Sequence, residues 1–279
     1  MDIGIGLPSN IPGAEAVQVV EWAGRAERLG FSSLGAIDRL VYDNYEPLIT
    51  LAAAAAVTTR IRLATVVVIA PLHANTAMLA KQVASVNRLS GGRLVLGLAP
   101  GGRADDYEAS RLAFDKRGRA FDLMITEMRD IWSGGRGIGP RSAAPQIIIG
   151  GFAPRSFERA ARHGDGWIAG ADGAEVFAQG AERARQAWRA AGREDRPRFQ
   201  ALCYFSLGPD PDHHAKKYLH DYYAFAGPFA EKIAAATLKD KETIRSTIEA
   251  YEKAGNDELI LLPVNPDPEQ VDLLAEAIG

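Results

Sequence analysis

The fold is decided by residues 61–102, which read IRLATVVVIAPLHANTAMLAKQVASVNRLSGGRLVLGLAPGG. Two apolar runs, 61–69 and 93–98, flank a segment with helical spacing, and each run ends in a loop that contains glycine or proline. This pattern is typical of a strand, a crossover helix and a second, parallel strand. Parallel strands open their ligand-facing loops at their carboxyl ends, so we expect the functional site there.

The same alternation of short apolar runs and amphipathic segments extends along the whole chain. Strands are predicted at 3–7, 33–37, 61–69, 93–98, 146–149, 166–169, 199–207 and 258–264. Helices are predicted from residue 14 to a cap at Gly30, and at 48–57, 77–89, 117–132, 154–163, 175–191 and 241–254. Eight strands separated by helices favour an α/β fold, a (β/α)8 or TIM barrel, as a single domain over residues 1–279.

The longest connection, 208–239, lies between predicted strands 7 and 8 and contains PDPDHHAKKYLHDYYAFAGPF. We expect this segment to add helices over the barrel mouth, in the position of a lid. Its aromatic residues either cover a pocket or dock the insertion on the barrel; they are Tyr218, Tyr222, Tyr223 and Phe225. The histidines of the segment fit helix surface better than a metal site; they are His213, His214 and His220.

Composition narrows the classes of partner. The formal charge is −3, and no Lys/Arg run forms the basic stripe that binding a phosphate backbone requires, so we expect no nucleic acid. Cys203 is the only cysteine, which excludes an intramolecular disulfide and a cysteine-rich metal site. No apolar run approaches the roughly 20 residues that span a bilayer, and no signal peptide is recognised. We therefore expect a soluble, cytoplasmic protein.

Glycine and a few polar residues stand at the predicted carboxyl ends of the strands. They include Asn10, Asp38, Arg39, Tyr42, His73, Asn75, Gly101, Gly102, Arg103, Asp105, Gly150, Gly151, Gly170 and Ala171. We assemble from them no Ser-His-Asp set, no metal-ligand set and no dinucleotide fingerprint. The pairs Gly101-Gly102 and Gly150-Gly151 form either tight turns or places where backbone N–H groups approach a phosphate or a flat ring. Their position on one face of the barrel favours cofactor binding.

Several segments, in order, resemble the bacterial luciferase-like family of flavin-dependent oxidoreductases. They are DIGIGLP, AERLGFSSLGAIDRL, the run from PLITL through GLAPGG, RGRAFD ahead of MRDIW, and PQIIIGGFAPRSFERAARHGDGWIAG, with a weaker match in AGNDELILLPV. The composite string is far more specific than any motif within it. The resemblance implies a TIM barrel with FMN or the deazaflavin F420 at its carboxyl mouth, hydride or oxygen chemistry at that ring, and a homodimer.

The resemblance also implies which residues contact the cofactor. Thr65, Val66 and Val67 match a bulge against the flavin ring, with a non-prolyl cis peptide bond at Val66-Val67; the residues by themselves read as ordinary barrel core. Asn75 matches a position that reaches the polar edge or tail of the cofactor. The phosphate-binding side is matched by Gly150, Gly151, Gly170 and Ala171, and Gly101 and Gly102 join the set by their position. Trp167 is expected to pack in the core.

Three departures from the family pattern narrow the activity. Arg39 stands where several F420 enzymes have a histidine, and arginine cannot act as a base. Gly102 replaces the glutamate of the F420-dependent sugar-phosphate dehydrogenases, and Pro100 replaces an arginine of the luciferases proper. The sequence therefore predicts neither a sugar-phosphate dehydrogenase nor a light-emitting enzyme.

The candidate catalytic residues are Arg39, His73 and Asp38. Arg39 could stabilise an anionic flavin or a carbonyl or enolate substrate, and could equally be a solvated surface residue. His73 is the candidate general acid or base, because histidine titrates near neutrality; a polar loop histidine is the alternative. Asp38 is expected to hold Arg39 in place, and Arg103 and Asp105 to line the entrance.

Two functions follow from these residues. The favoured one is a monooxygenase that uses reduced FMN and oxygen on a small to medium organic substrate. A separate flavin reductase would supply the reduced FMN. F420-dependent hydride transfer is the alternative if the cofactor is F420. The rival is a flavin-binding protein of the same fold without turnover, which the sparse set of acids and bases would fit.

Overall fold

The computed structural model describes residues 1–134 and 136–279, in which eight strands form a closed, all-parallel barrel in chain order. The strands are β1 (Asp2–Gly6), β2 (Ser33–Ala36), β3 (Arg62–Ile69), β4 (Leu94–Ala99), β5 (Gln146–Gly150), β6 (Gly166–Ala169), β7 (Arg198–Phe205) and β8 (Glu258–Pro263). Pairing of β1 with β8 closes the sheet, with Ile5 opposite Leu261. The predicted TIM barrel is confirmed.

Helices follow the strands and cover the barrel from outside. They are α1 (Ala16–Arg28), α2 (Pro47–Val57), α3 (Thr76–Leu89), α4 (Ala104–Ala109), α5 (Arg117–Trp132), α6 (Pro154–His163), α7 (Ala174–Ala190), α8 (Pro211–Tyr222), α9 (Pro228–Ala235), α10 (Lys241–Lys253) and α11 (Glu269–Ile278). The sequence analysis missed α4 and α11. Helix α4 is too short to show a helical period, whereas the buried residues Val271 and Leu274 of α11 did carry one. No helix of the described residues has the length and apolar character needed to cross a bilayer.

Two apolar cores hold these layers together. The larger core lies between the strands and the surrounding helices, and the smaller one fills the barrel interior. Strand β7 illustrates the division, because Phe199, Ala201 and Cys203 belong to the outer core whereas Tyr204 belongs to the interior. Alternate residues along each strand therefore face the barrel interior and the helices in turn.

A buried carboxylate organises the amino-terminal end of the barrel. Glu258 accepts hydrogen bonds from Ser32 Oγ at 2.7 Å and Gln200 Nε2 at 2.7 Å, and pairs with Arg62 and Arg198 at 3.1 and 3.0 Å. Burial opposes its ionisation, but these hydrogen bonds and positive charges outweigh it and lower the pKa of Glu258 to about 2. The ionised side chain of Glu258 therefore links β8 to β3, to β7 and to Ser32, the residue before β2.

The start of β3 is fixed by the side chain of Glu27 on α1. Its carboxylate accepts N–H groups of Thr59, Arg60 and Ile61 at 2.8 to 3.0 Å. Burial opposes the charge, but these hydrogen bonds lower the pKa of Glu27 to about 2. The loop before the bulge-bearing strand is thereby tied to the helix layer.

The segment 208–239 forms α8, a short 3-10 turn and α9 between β7 and β8, as predicted. Tyr218 and Tyr222 of α8 are buried in the same core as the barrel interior, so α8 packs across the carboxyl mouth. Asn10 donates to the Tyr218 hydroxyl, and the hydroxyls of Tyr204 and Tyr223 lie 2.9 Å apart. Most of the tyrosines therefore dock the insertion on the barrel, whereas Phe225 stays exposed.

Candidate cofactor and active site

The centre of the site is a bulge in β3. The register with β4 shifts between Thr65 and Val68, and the peptide bond Val66-Val67 is cis, as the resemblance implied. Thr65 Oγ1 donates to the Gly97 carbonyl at 2.8 Å, and a Cβ on Gly97 would lie 2.1 Å from the Thr65 carbonyl oxygen. Only glycine fits beside the bulge at this point of β4. The sequence analysis missed Gly97, although a glycine inside an apolar strand is a signal of close backbone approach.

Both valines of the bulge face the barrel interior beneath α8. Val66 is 4% exposed and Val67 is half-buried, and both pack in the core that also holds Tyr218 and Tyr222. Thr65 is buried and uses its hydroxyl within the sheet. Contact of these three residues with a cofactor ring stays a prediction.

The structure brings the two glycine pairs together. Gly101, Gly102, Gly150 and Gly151 line one cavity of about 760 Å³ at the carboxyl face, together with the start of α6. Gly151 has φ of 120°, and a Cβ there would lie 2.7 Å from Ser156 Oγ. Gly101 has φ of 71°, which also favours glycine. A Cβ on Gly102 would meet nothing within 4 Å, so that position is not sterically restricted.

A buried tryptophan positions one of these glycines. Trp167 is fully buried, as expected of a packing residue, and its Nε1 donates to the Gly151 carbonyl at 2.9 Å. Its ring packs edge-on against Phe152, which also lines the cavity. The hydrogen bond from the buried Trp167 therefore fixes the orientation of the Gly151 carbonyl.

Three arginines and one aspartate, Asp115, line the cavity. Helix α6 begins at Pro154, which has no N–H, and the Ser156 N–H donates to the Ala153 carbonyl at 2.7 Å, so the Arg155 N–H is the one in this turn that can meet an anion. Arg155 is exposed, lines the cavity and forms no ion pair with another described residue. Arg117 also lines it and is held by the Gly101 carbonyl at 3.2 Å, whereas Arg159 is neutralised by Asp122 at 2.5 Å. This arrangement suits a phosphate.

Besides the three residues of the β3 bulge, three predicted cofactor residues lie outside this cavity. Ala171 lines a different cavity from Gly150 and Gly151, and the assignment of Gly170 and Ala171 to the phosphate-binding side stays a prediction. Asn75 is exposed, and its Oδ1 accepts the Met78 N–H at 3.0 Å, which caps α3. A contact between these residues and a cofactor stays a prediction.

Asp38 and His73 form a pair at the end of β2 and β3. Asp38 Oδ2 lies 3.4 Å from His73 Nε2 and accepts the Ile69 N–H at 2.8 Å. Burial opposes protonation of His73, but the Asp38 hydrogen bond and charge, with a contribution from Glu46, raise its pKa above the usual value. His73 therefore carries a proton at neutral pH more often than an isolated histidine does.

Arg39 points away from this pair. Its guanidinium lies 4.3 Å from the ring centre of Tyr42 and 4.9 Å from that of Tyr222, and donates to the Tyr222 carbonyl at 2.8 Å. The hypothesis that Asp38 holds Arg39 is wrong, because the carboxylate facing Arg39 is Asp105, at 3.9 Å. The alternative of a solvated surface residue is also wrong, since the Arg39 side chain is only 7% exposed. No described residue forms a hydrogen bond with the Nε of Arg39.

Arg103 and Asp105 lie beside this stack, at the rim of the mouth. Arg103 pairs with Asp105 and covers the ring of Phe225 at 3.9 Å. Asp105 therefore faces both Arg39 and Arg103, and these charges lower its pKa against the effect of burial. Arg103 contacts the insertion through Phe225, and a place at the entrance is what the sequence analysis expected of this pair.

The geometry can now be set beside known proteins. A family model described as luciferase-like monooxygenase matches residues 1–263, and the chain belongs to this family. An uncharacterized protein of Mycobacterium bovis is 29% identical over 183 residues, which cover 60% of this chain and 63% of that protein's length.

Two solved structures share the fold over the whole chain. An F420-dependent secondary alcohol dehydrogenase, in complex with an F420-acetone adduct, superposes with a TM-score of 0.85 at 16% identity, covering 100% of this chain and 99% of that one. The oxygenating constituent of 3,6-diketocamphane monooxygenase of Pseudomonas putida, in complex with FMN, gives a TM-score of 0.73 at 18% identity, covering 100% and 98%. The fold is thus shared with one protein solved with an F420 adduct and with another solved with FMN.

Proposed function

We propose that the chain is a monooxygenase that uses reduced FMN and oxygen on a small to medium organic substrate. The observation that carries this proposal is the cavity in which the two glycine pairs, the uncapped start of α6 and Arg155 converge. A terminal phosphate monoester carries nearly two negative charges at neutral pH, and it suits a cavity with the Arg155 N–H at the start of α6 and the Arg155 guanidinium, which forms no ion pair with another described residue. The phosphate of F420 is an internal diester with a single charge.

The residues around the cavity fit such a group. A Cβ at Gly151 would contact Ser156 Oγ, so the missing side chain leaves the backbone open to the cavity. Arg155 would pair with the phosphate, and Arg117, held by Gly101 and stacked on Phe114 at 3.7 Å, would supply a second charge. When bound, reduced FMN supplies the electrons that activate oxygen.

The remaining residues would exclude water from the cofactor ring, transfer protons to and from the substrate and supply a fixed charge. Val66 and Val67 would form an apolar surface that excludes water from the ring. His73 holds a proton at Nε2 or Nδ1 with the support of Asp38, and can donate it to a substrate oxygen and take it back. Arg39 supplies a fixed positive charge at the mouth, since its contacts with the rings of Tyr42 and Tyr222 hold the guanidinium in place.

A second candidate is F420-dependent hydride transfer. The observation that favours it is the higher TM-score with the F420-dependent alcohol dehydrogenase, together with the raised pKa of His73, which suits protonation of a carbonyl oxygen. A third candidate is cofactor binding without turnover. These candidates differ in which cofactor binds and in whether it is consumed.

The test begins with purified protein and three cofactors. FMN, reduced FMN under anaerobic conditions, and F420 are titrated in separate experiments, with cofactor fluorescence or absorbance as the readout. We expect reduced FMN to bind and its reoxidation by air to change on addition of candidate substrates, with oxygen incorporated into product. Preferred binding of F420 would support hydride transfer, and binding with no substrate-dependent consumption would support the third candidate. Failure to bind any of the three would contradict the proposal.

We also propose a homodimer and a separate flavin reductase. The exposed side of α2 is apolar, with Ile49 70% exposed. Met78 and Leu89 of α3 are 53% and 71% exposed, although Lys81, Gln82 and Arg88 are also exposed on that helix. Helix α2 contains no charged residue, and its exposed positions Ile49, Ala53, Ala56 and Val57 form one stripe. A second copy of the chain would cover this face by two-fold symmetry. We place the protein in the cytoplasm.

A further inference from the structure

A second cavity lies beside β7. It has a volume of about 340 Å³ and is bounded by the start of α7, the end of α9 and one face of α10. Its apolar lining includes Ile233, Leu238 and the thiol-bearing residue Cys203, all buried. Cys203 belongs to the helix-facing core, whereas Tyr204 and Ile233 belong to the interior core, so the cavity lies at the boundary between the two. It shares no lining residue with the cavity of the glycine pairs.

Tyr251 forms a buried polar end of the cavity, whereas Ser246 and Thr247 line it from the less buried face of α10. Tyr251 is 1% exposed, and within the part of the chain that the structure describes its hydroxyl makes no hydrogen bond of normal geometry, although the Cys203 thiol and the Gly173 backbone interact with it. Gly173, which also lines the cavity, precedes the first turn of α7 and offers no side-chain cap. A buried hydroxyl without a partner costs roughly 1 to 3 kcal/mol, so a ligand oxygen that accepts from Tyr251 would recover that loss.

The charges near this end select a neutral ligand. Burial raises the pKa of Tyr251, and the Cys203 thiol and the Asp172 carboxylate act in the same direction. Glu175 adds a second acidic group in the first turn of α7. These carboxylates would repel a carboxylate ligand, but they do not oppose a neutral carbonyl oxygen.

We propose that this cavity binds a compact, neutral carbonyl compound, with its oxygen at the Tyr251 hydroxyl and the α7 amino end and its apolar body against Ile233 and Leu238. The volume lies within the range of small-molecule sites. The site needs no cofactor, so it stands independently of the proposed function. It adds a second ligand site beside the Gly170-Ala171 loop.

The test uses the full-length protein without cofactor and two probes of nearly equal shape. Cyclohexanone carries a carbonyl oxygen, and methylenecyclohexane replaces that oxygen with a methylene group. Calorimetric titration should show that Tyr251→Phe weakens cyclohexanone binding about three- to tenfold, the range expected for one hydrogen bond, and leaves methylenecyclohexane unchanged. The variant should fold normally, because it removes a hydroxyl that makes no hydrogen bond of normal geometry with a described residue.

A further measurement locates the site. Ala250 is an exposed residue at the rim, so Ala250→Phe should obstruct entry and weaken both probes. Arg155→Gln, in the other cavity, should leave the binding of both probes unchanged. Absence of cyclohexanone binding, or equal affinity in Tyr251→Phe, would overturn the proposal.

Discussion

Nε2 of His73 lies 3.4 Å from the Asp38 carboxylate, which is itself fixed by the Ile69 N–H. Burial alone would lower the pKa of His73, and Asp38 is the main group that raises it. We therefore expect Asp38→Asn to lower the pKa of His73, measured by NMR titration of the imidazole. An unchanged pKa would show that another group sets it.

The same pair gives the protein a pH-dependent stability. Because the pKa of His73 is raised above 6.5 in the folded state, its stabilising contribution is complete below pH 6.5 and is lost as pH rises through the folded pKa. The difference in unfolding free energy between the native chain and His73→Gln should be larger at pH 5.5 than at pH 8.5. His163, whose pKa is lowered, serves as a comparison, since His163→Gln should not reproduce this trend.

Gly97→Ala should destabilise the barrel strongly. A Cβ there would lie 2.1 Å from the Thr65 carbonyl oxygen, a backbone atom of the bulge that cannot move aside. We expect a loss of about 3 kcal/mol of unfolding free energy, measured by urea denaturation. Gly102→Ala is the matched control, because a Cβ there meets nothing within 4 Å and should leave stability nearly unchanged.

Gly151→Val and Arg155→Gln test the phosphate cavity separately. The valine side chain of Gly151→Val would occupy the space through which a phosphate reaches the backbone at this position. Flavin affinity should therefore fall at least about tenfold in protein shown to be folded by circular dichroism. Arg155 is exposed, so Arg155→Gln should weaken FMN about three- to tenfold with no change in stability. Unchanged affinity in a folded Gly151→Val protein would contradict the proposed cradle.

Glu258→Gln should cost about 3 kcal/mol, because it leaves Arg62 and Arg198 without their buried counter-charge. The pKa of Glu258 is lowered from 4.5 to about 2, so its contribution is complete above pH 4.5 and is lost as pH falls toward 2. Acid unfolding of the native chain should therefore show a pH dependence that the variant lacks. Glu276→Gln, at an exposed ion pair with Lys241, should behave like the native chain.

Ile49→Arg should disrupt the proposed homodimer. Ile49 is 70% exposed on an α2 stripe without charges, and a guanidinium there would be buried without a partner at a two-fold contact. Light scattering after size-exclusion chromatography should give twice the 30.0 kDa chain mass for the native protein and the chain mass for the variant. A monomeric native protein would refute the proposal.

The sequence predicted the barrel because each strand carries its own local signal, an apolar run followed by a turn. It also placed the cis peptide bond at Val66-Val67, which came from the family resemblance and not from the residues themselves. Helix α4 was missed because six residues show too little of a helical period to recognise.

The site was harder to predict, because its contacts join residues far apart in the chain. Nothing in the sequence indicates that Arg39 stacks on Tyr222, 183 residues away, or that Asp38 pairs with His73 instead. Gly97 was missed because its role depends on a neighbouring strand. Ala171 lines a different cavity from Gly150 and Gly151, and the order of the loops in the sequence does not predict that difference.

The β3 bulge changes how many side chains this strand turns inward. In a regular strand only every second residue faces the barrel. Here Ala64, Val66 and the adjacent Val67 all pack with the interior, and Val68 then returns to the helix side. Two neighbouring valines therefore both pack with the barrel interior, whereas an unbroken strand would turn one of the two toward the helices.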